Sequence, residues 1–114
     1  MIGKHFKRSE FACKCGCGFD TIDYELIVVL EGLREWAGNA LLVSSGCRCE
    51  KYNAYIGGVK DSQHVKARAA DCLVCGKTPQ EVYEYLDELY PDKYGLCNYQ
   101  TFTHIDTRAK KGRW

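Results

Sequence analysis

Two histidines and an aspartate are the residues of this chain best suited to chemistry. His64 offers an imidazole, a borderline donor well matched to zinc, and Asp71 offers a hard anionic oxygen. His104 lies far downstream, in Phe102-Thr-His-Ile-Asp106. Two His and one carboxylate form one of the ligand sets of catalytic zinc, with three protein ligands and a fourth position left to water. A structural zinc site is more often closed by four ligands, largely thiolate. Between His64 and Asp71 stand Ala67, Ala69 and Ala70, small enough to let the backbone pass close to a bound group. For His64 alone, a solvated loop histidine is the competing account.

The surrounding residues carry a resemblance. Ser62-x-His64-x-x-x-x-Ala69-x-Asp71, followed by His104-x-Asp106, resembles the zinc D-Ala-D-Ala carboxypeptidase family, which cleaves peptide stems of the bacterial cell wall and includes phage endolysins. Ser44-Ser45-Gly46-Cys47-Arg48 is similar to the family's Ser-Gly-Tyr-Arg segment. Tyr52-Asn53 through Gly57-Gly58-Val59 is similar to the loop that leads into the first His, and Arg113-Trp114 to family C-termini. The resemblance spans nearly the whole chain. It implies one catalytic Zn2+ on His64, Asp71 and His104, and zinc-dependent hydrolysis of peptidoglycan stem peptides, either at a terminal D-Ala or within the stem. It also implies an α+β fold shared with the hedgehog signalling domain. One departure is Ala67, where the family usually has Gly; that change is mild unless the position needs a positive φ.

A second departure bears on mechanism. Hydrolysis needs a group to accept a proton from water and pass it to the leaving amine. Many relatives place an acid three residues before the last His; here that residue is Thr101, which cannot be a base. Asp106 is the nearest alternative, because on a strand it shares a face with His104. Orienting a zinc ligand, or pairing with Arg108, are its competing roles, and Glu50 and Asp92 are the next candidates for the base. Arg48 matches the family arginine that contacts substrate. Its guanidinium can grip a carboxylate through two parallel hydrogen bonds or stabilise an oxyanion. Ser62 and Gln63 flank His64 and are expected to bind substrate or to orient ligands. The missing acid favours an alternative of another class, a non-catalytic zinc-containing module of the same fold that binds cell-wall peptides.

The elements that must position these residues are legible in the pattern. Ile22, Leu26, Val29, Leu30, Leu33 and Trp36 fall on one helical face, with Asp23 and Glu25 in the first turn and Gly38 as the stop. Leu41 to Ser45 reads as a strand, Glu50 to Tyr55 as a helical turn, and Arg68 to Val74 as the strand carrying Asp71. Thr78-Pro79-Gln80-Glu81 is a capping box with Pro at the first position, and it opens a helix that Pro91 ends. Residues 94–99 and 102–107 read as a hairpin. The order predicts an α+β domain with a small, mostly antiparallel sheet and flanking helices.

With 114 residues and a net charge of +1, the chain reads as a single zinc peptidase domain, 1–114, and as a monomer. No clustered basic face marks a nucleic-acid partner, and no apolar run is long enough for a membrane. The segment Arg108 to Arg113 is basic; it reads as a solvated tail, with weak attraction to anionic cell wall as a second role. No signal peptide is legible in the first residues, so synthesis in the cytoplasm is expected, with release to the wall by a separate agent such as a phage pore-forming protein. Phage, prophage and bacterial settings stay open. Cys72-Leu-Val-Cys75 continues an apolar strand and does not read as a redox pair. The eight cysteines admit free thiols, disulfides formed after release, or a second metal on Cys13, Cys15 and Cys17. Against that metal stands their alternate spacing, since zinc motifs usually leave at least two residues between cysteines. His5 reads as an isolated surface residue.

Overall fold

The computed structural model describes residues 2–114. Five strands form one sheet in the order β1-β2-β4-β3-β5. They are β1 (Leu41–Ser45), β2 (Ala69–Val74), β3 (Gly95–Asn98), β4 (Thr103–Asp106) and β5 (Gly112–Arg113). All pairings are antiparallel except β3 with β5. The helices are α1 (Tyr24–Ala37), α2 (Glu50–Tyr55) and α3 (Pro79–Leu89). The architecture is thus the α+β domain with a mostly antiparallel sheet that the pattern predicts. The short parallel strand β5 was not anticipated: two residues carry no period to read.

One face of the sheet is the core. Ala70, Cys72 and Val74 of β2, Leu96 of β3 and Ile105 of β4 pack against Leu26, Ile27, Val29, Leu30 and Leu33 of α1 and against Val82 and Leu86 of α3. Each such Leu or Val fully removed from water contributes about 1.5–3 kcal/mol. Trp36 stacks on Tyr85 at 4.1 Å and 9°, joining α1 to α3 at the edge of this core. Strand alternation then sends the intervening residues to the opposite face. There Asp71 lies opposite His104, and Ala69 opposite Asp106.

Helix α1 begins at Tyr24 with Asp23 as its N-cap, so Ile22 packs against the core from outside the helix. Asp23 does not cap with its own carboxylate: its backbone N–H donates to the Ala67 carbonyl at 2.8 Å and its Oδ2 accepts from the Thr107 hydroxyl at 2.7 Å. The capping box of α3 forms as the sequence implies, Thr78 Oγ1 accepting from Glu81 N–H and Glu81 Oε1 from Thr78 N–H.

Two surface expectations need correction. Residues 108–113 are a solvated tail only in part: Ala109, Lys110 and Lys111 are exposed, but the two arginines are tied to the fold. Arg108 is bound to Asp106, and Arg113 is bound to Asp87 and to the carbonyls of Tyr90 and Tyr94. His5 is half-buried and tied through Nδ1 and its backbone N–H to Glu31. Cys72 is buried in the core while Cys75 is exposed past the end of β2, so the pair does not form a shared reactive surface.

Candidate metal centre

His64, Asp71 and His104 meet at one point, their ligand atoms within 4.8 Å of one another. They form the floor of a cavity of about 580 Å³. Asp71 comes from the middle of β2 and His104 from the paired position on β4, so register alone brings them together. His64 arrives from the loop before β2. Its backbone N–H donates to Ser62 Oγ at 3.1 Å and its carbonyl accepts from Arg48 N–H at 3.0 Å. Ala67 closes the turn between His64 and β2 at φ 59°, the left-handed conformation that Gly tolerates and Ala resists. The position therefore does need a positive φ, and the replacement of Gly by Ala there is not mild.

The imidazoles are held in fixed orientations. His64 Nδ1–H donates to the Gly46 carbonyl at 2.6 Å, which turns the Nε2 lone pair toward Asp71, 3.3 Å away. Only glycine fits at position 46, since a Cβ there would lie 2.6 Å from the Phe11 backbone. His104 Nε2–H donates to Asp106 Oδ2 at 2.8 Å, and Nδ1 faces Asp71 Oδ1 at 2.9 Å. Each ring thus presents one nitrogen to the Asp71 carboxylate while its other nitrogen is anchored by an oxygen behind it. Outer oxygens of this kind fix the orientation of metal-binding histidines. The donor set therefore fits a zinc ion, with His64 Nε2, Asp71 and His104 Nδ1 as its ligands.

The electrostatics agree. Burial opposes ionisation of Asp71, but hydrogen bonds from His104 and His64 more than offset it and hold the carboxyl well below its usual range. Burial would lower the His104 pKa, yet Asp106 and Asp71 together raise it. Asp106 is completely buried, and Arg108 grips it through Nε to Oδ1 and Nη2 to Oδ2, both at 2.7 Å. Burial disfavours its charge, while His104 and Arg108 keep it ionised.

Asp106 thus sits behind His104 and is absent from the cavity wall. Arg48 lines that wall, with Nε donating to Ser45 Oγ and Nη1 to Asn53 Oδ1 at 3.1 Å each, and Nη2 lying 3.4 Å from Asp71 Oδ2. Ser62 and Gln63 also line it, and Gln63 Oε1 has no hydrogen-bond partner among the described residues. Thr101 is exposed in the β3–β4 turn and does not line the cavity; neither do Glu50 and Asp92. The wall contains residues to which the sequence pattern gave no role in the site. Asp61 stands on the loop before His64. Tyr99 and Phe102 stack at 4.5 Å across the β3–β4 turn, and Trp114 lies 5.5 Å from the His104 ring and over the Arg108 guanidinium. An aromatic beside a turn gives no signal of its own; the paired register of β3 and β4 brings Tyr99 and Phe102 to the metal face, and backbone bonds to Leu96 and Asn98 of β3 bring Trp114 there.

No helix among the described residues is long and apolar enough to cross a membrane. No curated protein and no solved structure matches the chain. A family model described as Peptidase M15 matches residues 4–106, the span that contains all three candidate ligands and both residues that anchor them, Gly46 and Asp106. The chain belongs to the Peptidase M15 family, the zinc D-Ala-D-Ala carboxypeptidase-like metallopeptidases.

Proposed function

We propose that this chain hydrolyses peptide bonds in the peptide stems of bacterial peptidoglycan, using one zinc ion held by His64, Asp71 and His104. The observation that carries the reading is the convergence of these three residues on a cavity floor, each imidazole anchored from behind, in a chain of this family. Zinc with an open position would supply Lewis acidity toward the scissile carbonyl and an acidified water. Arg48 is the substrate anchor: three of its N–H groups are held by Ser45, Asn53 and Asp71, which fixes the guanidinium plane at the wall. Gln63 lines the wall beside His64 as a further substrate contact, and Ser62 acts through His64 by accepting its backbone N–H. Tyr99, Phe102 and Trp114 provide flat apolar walls on which an extended stem peptide can lie.

Asp106 acts by positioning His104. Both of its oxygens are engaged and it has no face on the cavity, so the direct base role expected from strand geometry has no support. Of the acidic residues on the cavity wall, Asp71 is claimed by the two histidines, which leaves Asp61 as the proton acceptor. We assign the protein to wall degradation after release from the cell that makes it, as a monomer acting in the manner of an endolysin.

Purified peptidoglycan incubated with the protein, with and without a chelator, tests this. New amino groups, lost with chelator and restored by zinc, are expected, and the masses of the fragments identify the bond. Binding to peptidoglycan with no amino groups released would replace the enzyme by the peptide-binding module that the missing acid at Thr101 favours. Full turnover in His64→Ala would overturn the site.

A further inference from the structure

We propose that Cys13, Cys15, Cys17 and Cys49 form a second zinc site, a closed four-thiolate centre separate from the His64–Asp71–His104 group. The alternate spacing of the first three cysteines argues against a shared ion, but the fold removes that objection. Gly16 and Gly18 take φ of 80° and 91°, turning the chain back after Cys15 and again after Cys17. The N–H of Gly16 closes on the Cys13 carbonyl at 3.3 Å, and Cys13 N–H on the Phe19 carbonyl at 2.8 Å. Cys49 then arrives from the loop after β1. All four sulfurs lie within 4.8 Å of one another.

The separations match a metal better than they match chance or a disulfide. Cys13 and Cys15 sulfurs are 3.5 Å apart, Cys15 and Cys49 3.6 Å, and Cys13 and Cys49 3.8 Å. Sulfurs placed about 2.3 Å from a tetrahedral centre are separated by about 3.8 Å. A disulfide would require about 2.05 Å. Two backbone N–H groups point at the sulfurs, as they would at thiolates: Cys49 N–H to Cys13 Sγ at 3.4 Å and Tyr52 N–H to Cys49 Sγ at 3.3 Å. Lys51 lines the same surface hollow as Cys15, Cys17 and Cys49, where its charge would partly offset the net negative charge of four thiolates around a divalent ion. Cys47 is a fifth cysteine in the same region and is not a ligand. It is buried, and its thiol donates to the Phe11 carbonyl at 3.0 Å, with that of Phe19 at 3.1 Å.

Tetrahedral all-thiolate coordination suits zinc, and closed four-ligand sites are structural. Each cysteine that binds gives its proton to solvent and no electron moves. The centre would fasten the segment from Phe11 to Phe19 onto Cys47-Arg48-Cys49. Cys49 is also the N-cap of α2, and Arg48 beside it reaches the cavity wall. Zinc at this position therefore holds the loop that presents Arg48.

The test is metal content by elemental analysis and native mass spectrometry, on full-length protein purified under reducing conditions. Two zinc ions are expected in the wild type, one in His64→Ala/His104→Ala, and one in Cys15→Ser/Cys17→Ser. Cobalt(II) loaded into the His variant should show intense sulfur-to-cobalt charge-transfer absorption, and chelation should lower its melting temperature. These two readouts need no cysteine variant to fold. A His variant that holds no metal, with its thiols reacting at the same rate with and without added zinc, would overturn the proposal, as would zinc retained there after Cys15→Ser/Cys17→Ser is added. A wild type whose single zinc survives the His substitutions but not the Cys ones would support this centre and sink the catalytic site instead.

Discussion

Asp106 is the residue at which mechanism is decided. It contacts the candidate ligand His104 and the cation Arg108 and has no face of its own on the cavity. Asp106→Asn should therefore weaken zinc binding by about 10–100-fold, the usual effect of losing an anchor behind a histidine ligand. Turnover at saturating zinc should stay close to wild type. A base would behave oppositely, with zinc affinity unchanged and turnover down by about two to four orders of magnitude. Zinc titration and saturated kinetics on the same protein separate the two. Ala67 offers a second residue-level test. Relief of its left-handed strain is worth about 1–2 kcal/mol, against about 0.5–1 kcal/mol for the extra chain entropy of Gly. Ala67→Gly should raise stability to urea by up to about 1.5 kcal/mol, with zinc content unchanged. A fall would mean that packing of this buried methyl outweighs the strain. The three candidate ligands were legible because the residues around them resemble a known family; their types and spacing alone do not set them apart from the neighbouring Asp61 and Asp106. What anchors them was not: a backbone carbonyl such as that of Gly46 has no signature in a side-chain alphabet.

At the level of elements, the pairing of β2, β4 and β3 places every ligand but His64. Strand β2 was legible as a short apolar run from Ala69 to Val74, and β4 as one arm of a hairpin around Gln100-Thr101. The closeness of β3 to the Asp106–Arg108 pair was not. A Cβ on Gly95 would lie 2.5 Å from both Asp106 carboxylate oxygens and 2.6 Å from Arg108 Nε. Gly95 also faces Asp106 directly in the register. Nothing in Tyr94-Gly95-Leu96 announces this, because the constraint comes from a side chain eleven residues away in sequence and one strand over. Gly95→Ala should cost about 1–3 kcal/mol, the usual range for overpacking. It should also loosen zinc, because the displaced carboxylate no longer anchors His104. Urea melts with zinc saturating and with chelator measure both effects. An equal destabilisation in the two conditions would show that β3 supports the fold without supporting the metal.

For the molecule as a whole, the site makes stability depend on pH with opposite signs in the presence and absence of zinc. With zinc stripped by chelator, His104 lies between two carboxylates, and its pKa is raised above the ordinary value of about 6.5. A group whose folded pKa is raised stabilises the fold fully below the unfolded value, and that stabilisation is lost as pH rises through the folded one. The chelated protein should therefore lose stability from His104 as pH climbs above about 6.5. Zinc reverses the trend, because its ligands must be deprotonated to bind and a bound metal stabilises the native state by mass action. The raised His104 pKa means that protons compete with zinc at a higher pH than an isolated histidine would allow. Asp71 and Asp106, both held far below the usual carboxylate range, stay ionised throughout this interval and leave the histidine term visible. Melting temperatures with chelator and with excess zinc should diverge as pH rises and converge as it falls. Parallel curves would show that His104 does not bind zinc through the nitrogen that faces Asp71.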